Sequence, residues 1–186
     1  MRIISGNFKG KKILEPKNSK TRPLKDLTKE SIFNIIKHSN KFKIDLGNSN
    51  ILDLFSGVGS FGIECLSRGV NKVVFIENYE EALKILKKNL INLKRMDNYE
   101  ILEKDIYKQK TFEDFEIKFD IVFLDPPFKD KNLEKILFNI KEKNILNKKG
   151  LIIIHRHKKD DQVFSPTFKI IEEKYYGISK INFISI

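Results

Sequence analysis

Apolar positions along the chain fall into short runs that alternate between two periods. Residues 50–55 ("NILDLF"), 72–77 ("KVVFIE"), 119–125 ("FDIVFLD") and 150–157 ("GLIIIHRH") are compact, rich in β-branched and aromatic residues, and end in polar or turn residues. Such runs fit strands buried on both faces. Between them, 60–69 ("SFGIECLSRG"), 79–95 ("YEEALKILKKNLINLKR") and 131–144 ("KNLEKILFNIKEKN") carry helical spacing. "YEILEKD" (99–105) reads as a further strand, and the segment to residue 117 has no clear period. Strands alternating with helices predict a Rossmann-like α/β fold with a mostly parallel sheet. The last two β-prone runs, 168–177 and 179–186, have no helix between them. At least one must therefore pair antiparallel, and that ending departs from a plain dinucleotide-binding domain.

The front of the chain follows a different pattern. "RIISG" (2–6) and "KKIL" (11–14) flank the turn "NFKG" and predict a small β-hairpin. Asp26 is placed to N-cap a helix reaching about His38, with Leu27, Phe33 and Ile36 near one face. Two units are expected: an extension over residues 1–25 and a main domain over 26–186.

Composition narrows the function. The 186 residues suit one packed core with a small appendage. Cys65 is the single cysteine, so no internal disulfide can form, and no Cys/His grouping has metal-ligand spacing. No signal peptide or membrane-length apolar run is visible, so a cytoplasmic protein acting as a monomer is expected, without membrane or metal. Net charge is +11, and it is clustered. Residues 1–25 hold eight Lys and Arg, among them Arg2, Lys9, Lys11, Lys12 and Arg22, against the single acid Glu15, a local balance of +7. A concentrated basic surface is the footprint of a polyanion partner. The plainer reading is a Lys-, Asn- and Ile-rich composition without functional meaning.

Two stretches carry chemistry. "DLFSGVGSFG" (53–62) places Gly57, Gly59 and Gly62 at G-x-G-x-x-G spacing, after a strand and opening a helix, where a sharp turn can approach a ligand closely. Phe55 lies on the same turn. Glu77 ends the next strand and can accept hydrogen bonds from two ribose hydroxyls. Asp53, four residues before Gly57, would repel a pyrophosphate but suits a cationic sulfonium cofactor with an amino-acid moiety. Asp105 can meet an adenine amino group, and the Ile106 amide a ring nitrogen. Simpler roles exist: Asp53 as a cap for the next helix, Glu77 as a solvated strand end, Asp105 as a turn residue.

The second stretch is Asp-Pro-Pro-Phe, residues 125–128, closing a buried strand. Two prolines end a sheet ladder because neither can donate. The Asp125 carboxylate and the Pro126 carbonyl can bind the two N–H groups of a conjugated exocyclic amine, drawing the nitrogen toward tetrahedral geometry and freeing its lone pair. Phe128 offers an apolar face for a flipped base. The bland alternative is a proline-terminated strand with Phe128 in the core.

"DLFSGVGSFGIECLSRG", "VVFIE" and "IVFLDPPF" together resemble amino-methylating class I S-adenosylmethionine-dependent methyltransferases. "RIISGNFKGKKILEP" and "TRPLKDLTKESIFNII" are similar to the RsmD family, the 16S rRNA guanine-N2 methyltransferases. The resemblance runs in order over nearly the whole chain. It implies a seven-stranded sheet with an N-terminal hairpin extension, S-adenosylmethionine as methyl donor, and a guanine of 16S rRNA in the assembled or nearly assembled small subunit as substrate. The basic hairpin would then grasp RNA. Leu24 stands where the family usually has Thr, and His155 where many members carry an acid. His155 is expected as a partly solvated strand-end residue, and Cys65 as packing. The competing readings are an amino-methyltransferase of adenine N6 or protein glutamine, where Asn more often replaces Asp125, a non-catalytic RNA-binding module, and a nicotinamide oxidoreductase.

Overall fold

The computed structural model describes residues 1–16, 24–94, 96–113 and 115–186. Seven strands form one sheet: β1 (Asn50–Leu54), β2 (Lys72–Ile76), β3 (Tyr99–Leu102), β4 (Phe119–Leu124), β5 (Leu146–His157), β6 (Lys169–Tyr176) and β7 (Ser179–Ser185). Their spatial order is β3-β2-β1-β4-β5-β7-β6. The first five pair in parallel, and β7 inserts antiparallel between β5 and β6. The antiparallel ending expected from the two final runs is therefore present on both sides of β7.

Parity along each strand divides the core in two. Ile51, Val73, Phe75, Ile121, Phe123, Leu151, Ile153, Ile181 and Phe183 face one layer. Leu52, Val74, Val122, Ile152 and Ile184 face the other. Strands buried on both faces need no polar alternation, which is why these segments read as continuous apolar runs. The first layer is covered by α1 (Asp26–His38), α2 (Ser60–Ser67) and α3 (Glu80–Leu93), and the second by α4 (Leu133–Glu142). Phe61 of α2 stacks between Phe33 and Phe123, with centroids 5.2 and 4.0 Å away. A Cβ on Gly62 would lie 2.3 Å from the Phe75 ring, so only glycine lets α2 approach β2 this closely. Cys65 is fully buried in this layer, as expected of a packing residue.

Two local expectations are corrected. The N-cap of α1 is Lys25, not Asp26. Asp26 sits in the first turn, where the helix dipole favours an acid, and its carboxylate accepts from the Arg2 amide at 3.4 Å. Leu27 is 78% exposed, because the buried stripe starts one residue later, at Thr28, Lys29, Ile32, Phe33 and Ile36. The expected hairpin is present in short form: Arg2 bridges Lys12, the Ile3 and Ile13 amides donate to the Lys11 and Met1 carbonyls at 2.9 and 3.0 Å, and the Gly10 amide donates to the Ile3 carbonyl at 2.8 Å. The Ile4 and Ser5 amides donate instead to the buried Glu64 carboxylate of α2, at 2.7 and 3.0 Å. The segment is packed, with Ile3 and Ile13 inside the first core layer. Among the described residues, no helix is long and apolar enough to cross a membrane.

Candidate active site

Strand register gathers the acids. Asp53 pairs with Phe75 and with Phe123, so Glu77 and Asp125 lie two residues further along neighbouring strands, pointing to the same face. Phe123 pairs with Ile153, which places His155 level with Asp125. All four lie toward the carboxyl ends of the parallel strands, the usual ligand edge of an open α/β sheet. They line a cavity of about 500 Å³, together with Leu24, Phe55, Gly57, Tyr107, Pro126 and Phe128 among others. That volume suits a nucleoside-sized ligand. No Lys or Arg is among its described lining residues.

The Gly-rich turn forms the floor. Phe55, Gly57 and Gly59 all have positive φ, at 57°, 56° and 86°. Gly59 is the N-cap of α2 and lies behind the lining, where a Cβ would meet Leu86 at 2.4 Å. The Glu77 carboxylate accepts from the amides of Gly57 at 2.7 Å, Asn78 at 2.9 Å and Tyr79 at 2.8 Å. It thereby ties the turn to the start of α3. Asp53 is 1% exposed, and its Oδ2 accepts from the Gly62 amide at 3.0 Å. The capping role open to Asp53 is thus real, yet Oδ1 has no hydrogen-bond partner among the described residues. Burial pushes the Asp53 carboxyl well above the ordinary range. The Gly62 bond opposes that shift, and the Asp125 and Glu77 charges add to it.

The Asp-Pro-Pro-Phe loop forms the wall. Asp125 is partly exposed, and its Oδ1 lies 2.8 Å from His155 Nδ1. Phe128 belongs to neither core cluster. Its ring meets His155 and His157 edge-on, with centroids at 5.6 and 5.3 Å. Arg156, 4% exposed, reaches under the loop. Its Nη1 donates to the Pro127 carbonyl at 2.9 Å, and its Nη2 to the Phe128 and Asp130 carbonyls at 3.1 and 2.9 Å. Its Nε pairs with Asp160. The Pro126 carbonyl is left without a partner among the described residues.

Other expectations fare unevenly. His155 is 6% exposed and paired in mid-sheet with Ile181, so it is not a partly solvated strand end. The expected run 150–157 began too late, because β5 starts at Leu146. Asp105 and Ile106 stand just outside the lining, which takes Tyr107 instead. Asp105 Oδ1 accepts from the Tyr107 amide at 3.0 Å, and Ile106 is buried in the second core layer. The Tyr107 hydroxyl donates to Asp130, and burial together with that acid raises its pKa. Tyr107 and Arg156 were missed, since nothing in local spacing marks them. His155 was singled out, but its burial and its bond to Asp125 were not foreseen. Of the basic cluster, Arg2, Lys9, Lys11 and Lys12 are exposed. Lys11 Nζ donates to the Asn92 carbonyl at 2.8 Å and sits over the Phe8 ring. Arg22 lies outside the described residues. No group of three or more His, Cys, Asp or Glu could hold a metal among the described residues.

Comparisons with known proteins agree with this architecture. A family model described as conserved hypothetical protein 95 matches residues 1–185. Ribosomal RNA small subunit methyltransferase D of Haemophilus influenzae is 33% identical over 179 residues, covering 96% of this chain and 90% of the relative. The protein of the same name from Buchnera aphidicola subsp. Baizongia pistaciae is 31% identical over 183 residues, covering 98% and 89%. Among solved structures, yhhF from Escherichia coli superposes with a TM-score of 0.81 at 26% identity, covering 99% of this chain and 96% of that one.

Proposed function

The chain belongs to the RsmD family, and from that premise we propose that it methylates ribosomal RNA of the small subunit, using S-adenosylmethionine, at the exocyclic N2 of a guanine. The observation that carries the chemistry is a pair of adjacent acceptors, Asp125 Oδ2 and the Pro126 carbonyl, neither of which has a partner among the described residues. Of the carbonyls that follow in the loop, those of Pro127, Phe128 and Asp130 are taken by Arg156. Two adjacent acceptors at a cavity wall match in number the two N–H groups of one conjugated amine.

The lining fits the proposed methyl donor. It offers three carboxylates and no Lys or Arg, which favours a cationic ligand and disfavours a pyrophosphate. S-adenosylmethionine supplies an electrophilic methyl group when bound. Asp53 Oδ1 would hold its amino group and Glu77 its ribose hydroxyls, with Gly57 allowing close backbone approach. Asp105 and the Ile106 amide, just beyond the lining, remain the candidates for the adenine edge. Asp125 and Pro126 orient the amine and localise its lone pair. They need not deprotonate it in advance, since its proton turns acidic only after the new N–C bond forms. Asp125 would then accept that proton. Phe128 provides a face for the base. The basic surface of residues 1–25 would position RNA through phosphates without reading its sequence.

The same acceptors suit any conjugated exocyclic amine, so the test must identify the product. The protein is incubated with methyl-labelled S-adenosylmethionine and undermethylated 30S subunits, naked rRNA, DNA and protein substrates, and the labelled residue is mapped. N2-methylguanine in small-subunit rRNA is expected. Label in adenine N6 or glutamine would overturn the proposed substrate.

A further inference from the structure

We propose that His155 is the positioning residue of Asp125, holding one carboxylate oxygen so that the other faces the amine, with Ser179 setting the tautomer. The role in catalysis rests on the amino-methyltransferase reading, whereas the geometry does not. Asp125 leaves the sheet after β4, and a carboxylate there could rotate about its two side-chain torsions. His155 Nδ1 sits 2.8 Å from Asp125 Oδ1, and His155 Nε2 sits 2.8 Å from Ser179 Oγ. Both ring nitrogens are thus engaged inside the sheet, where His155 and Ser179 are 6% and 5% exposed.

The donor directions follow from chemistry. A carboxylate oxygen only accepts, so Nδ1 must carry the proton of that bond. In the neutral ring Nε2 is then an acceptor, and it receives the Ser179 hydroxyl, which has no other side-chain hydrogen-bond partner among the described residues. The order Ser179–His155–Asp125 resembles a hydrolase triad, but Ser179 does not line the cavity and is no nucleophile candidate. The chain of bonds runs outward instead: β7 fixes the ring, the ring fixes Oδ1, and Oδ2 is left for substrate. The Phe128 ring, edge-on to the imidazole, ties the base-stacking face to the same support.

Two measurements test this. The first needs no activity. In protein carrying 15N-histidine, ring correlations are assigned by comparison with His155→Asn, the other histidines being His38 and His157. The expected signature is a protonated Nδ1 for His155, lost in Asp125→Ala. An unprotonated Nδ1 in the wild type, or one indifferent to Asp125→Ala, overturns the proposal even if rRNA methylation is confirmed. The second is single-turnover transfer at saturating cofactor and RNA. His155→Leu should slow it on the order of 10–100-fold, the scale of a lost hydrogen bond to a charged group, with cofactor affinity and RNA KM near wild type. His155→Asn places an amide N–H near the Nδ1 position and should recover most of that rate. Equal losses in Leu and Asn would mean that the ring only packs. Wild-type transfer in His155→Leu would mean that Asp125 needs no support. If wild-type protein methylates no rRNA, the proposed function fails, and the tautomer still decides the placement.

Discussion

At the residue scale, the proposed function assigns Asp53 to binding and Asp125 to chemistry. Asp125→Ala should leave S-adenosylmethionine affinity nearly unchanged while single-turnover transfer falls on the order of 10²-fold or more, the cost of losing a preorganised acceptor. Wild-type turnover in that variant would make the loop merely structural. Asp53 should show the opposite cost, paid in stability. Below the ordinary carboxyl range, folded and unfolded chains are both protonated there and nothing is lost. As pH rises through that range the unfolded chain ionises first, because burial holds the folded carboxyl neutral for longer. Stability therefore falls with rising pH until the folded carboxyl ionises too. Asp53→Asn keeps an acceptor for Gly62 and removes the penalty. Its Tm should exceed wild type near neutral pH, by about 2–4 °C per kcal/mol relieved, and the gain should vanish in acid. Thermal unfolding of cofactor-free protein across pH checks this, and calorimetry should show weaker cofactor binding by the same variant. A gain independent of pH would contradict the burial argument.

At the element scale, the loop from β4 to α4 depends on a residue from β5. Arg156 gathers three loop carbonyls and Asp160 about one buried guanidinium. Burial pushes the Asp160 carboxyl up, but the Gln162 amide and Arg156 more than offset it and hold it below its usual value. Arg156→Met would leave those carbonyls and that acid without their partner, at about 3–5 kcal/mol, typical of breaking a buried charged pair. Arg156→Lys should rescue little, because a single ammonium cannot reproduce the fork. Hydrogen exchange over residues 128–132 should quicken in both, and unchanged protection would show that the prolines alone hold the loop. This dependence was not legible in the chain, because it joins residues far apart in sequence. What was legible has a physical reason. Strands buried on both faces must be continuous apolar runs, and Asp-Pro-Pro must end one. The hairpin was legible in the β-propensity at residues 2–6, but that propensity says nothing of Glu64, which takes the Ile4 and Ser5 amides and ties the segment to α2. Lys29 was invisible for a similar reason: a helical lysine is ordinarily solvated, yet this one is fully buried and donates to the Arg2 carbonyl at 2.8 Å. Burial lowers its pKa, and nearby Glu64 and Asp26 partly restore it.

At the scale of the whole molecule, an acid-lined cavity lies near a basic face that carries the exposed Arg2, Lys9, Lys11 and Lys12. The two adjoin. Lys29 Nζ bonds the Arg2 carbonyl and lies 3.5 Å from the hydroxyl of Ser60, which lines the cavity. A polyanion drawn to the basic face would therefore meet the cavity rim rather than enter a site that repels its phosphates, and a base would have to leave its stack to reach Asp125. The lysines of that face are not equivalent. Lys11 is anchored to Asn92 and Phe8, and its removal should cost some stability. Lys9 and Lys12 are exposed, with no ion pair among the described residues. Replacing Lys9 and Lys12 with Gln should leave the Tm near wild type, raise the apparent KM for RNA, and reduce the slope of log affinity against log salt by about 1.4–1.8, at 0.7–0.9 for each phosphate no longer neutralised. The maximal rate at saturating RNA should change little, because in the proposed function these lysines would position the RNA and take no part in aiming the amine. The decisive comparison is the salt slope of the double variant against wild type on the same RNA. An unchanged slope would reduce the +7 cluster to a bias of composition and move RNA capture to another face of the protein.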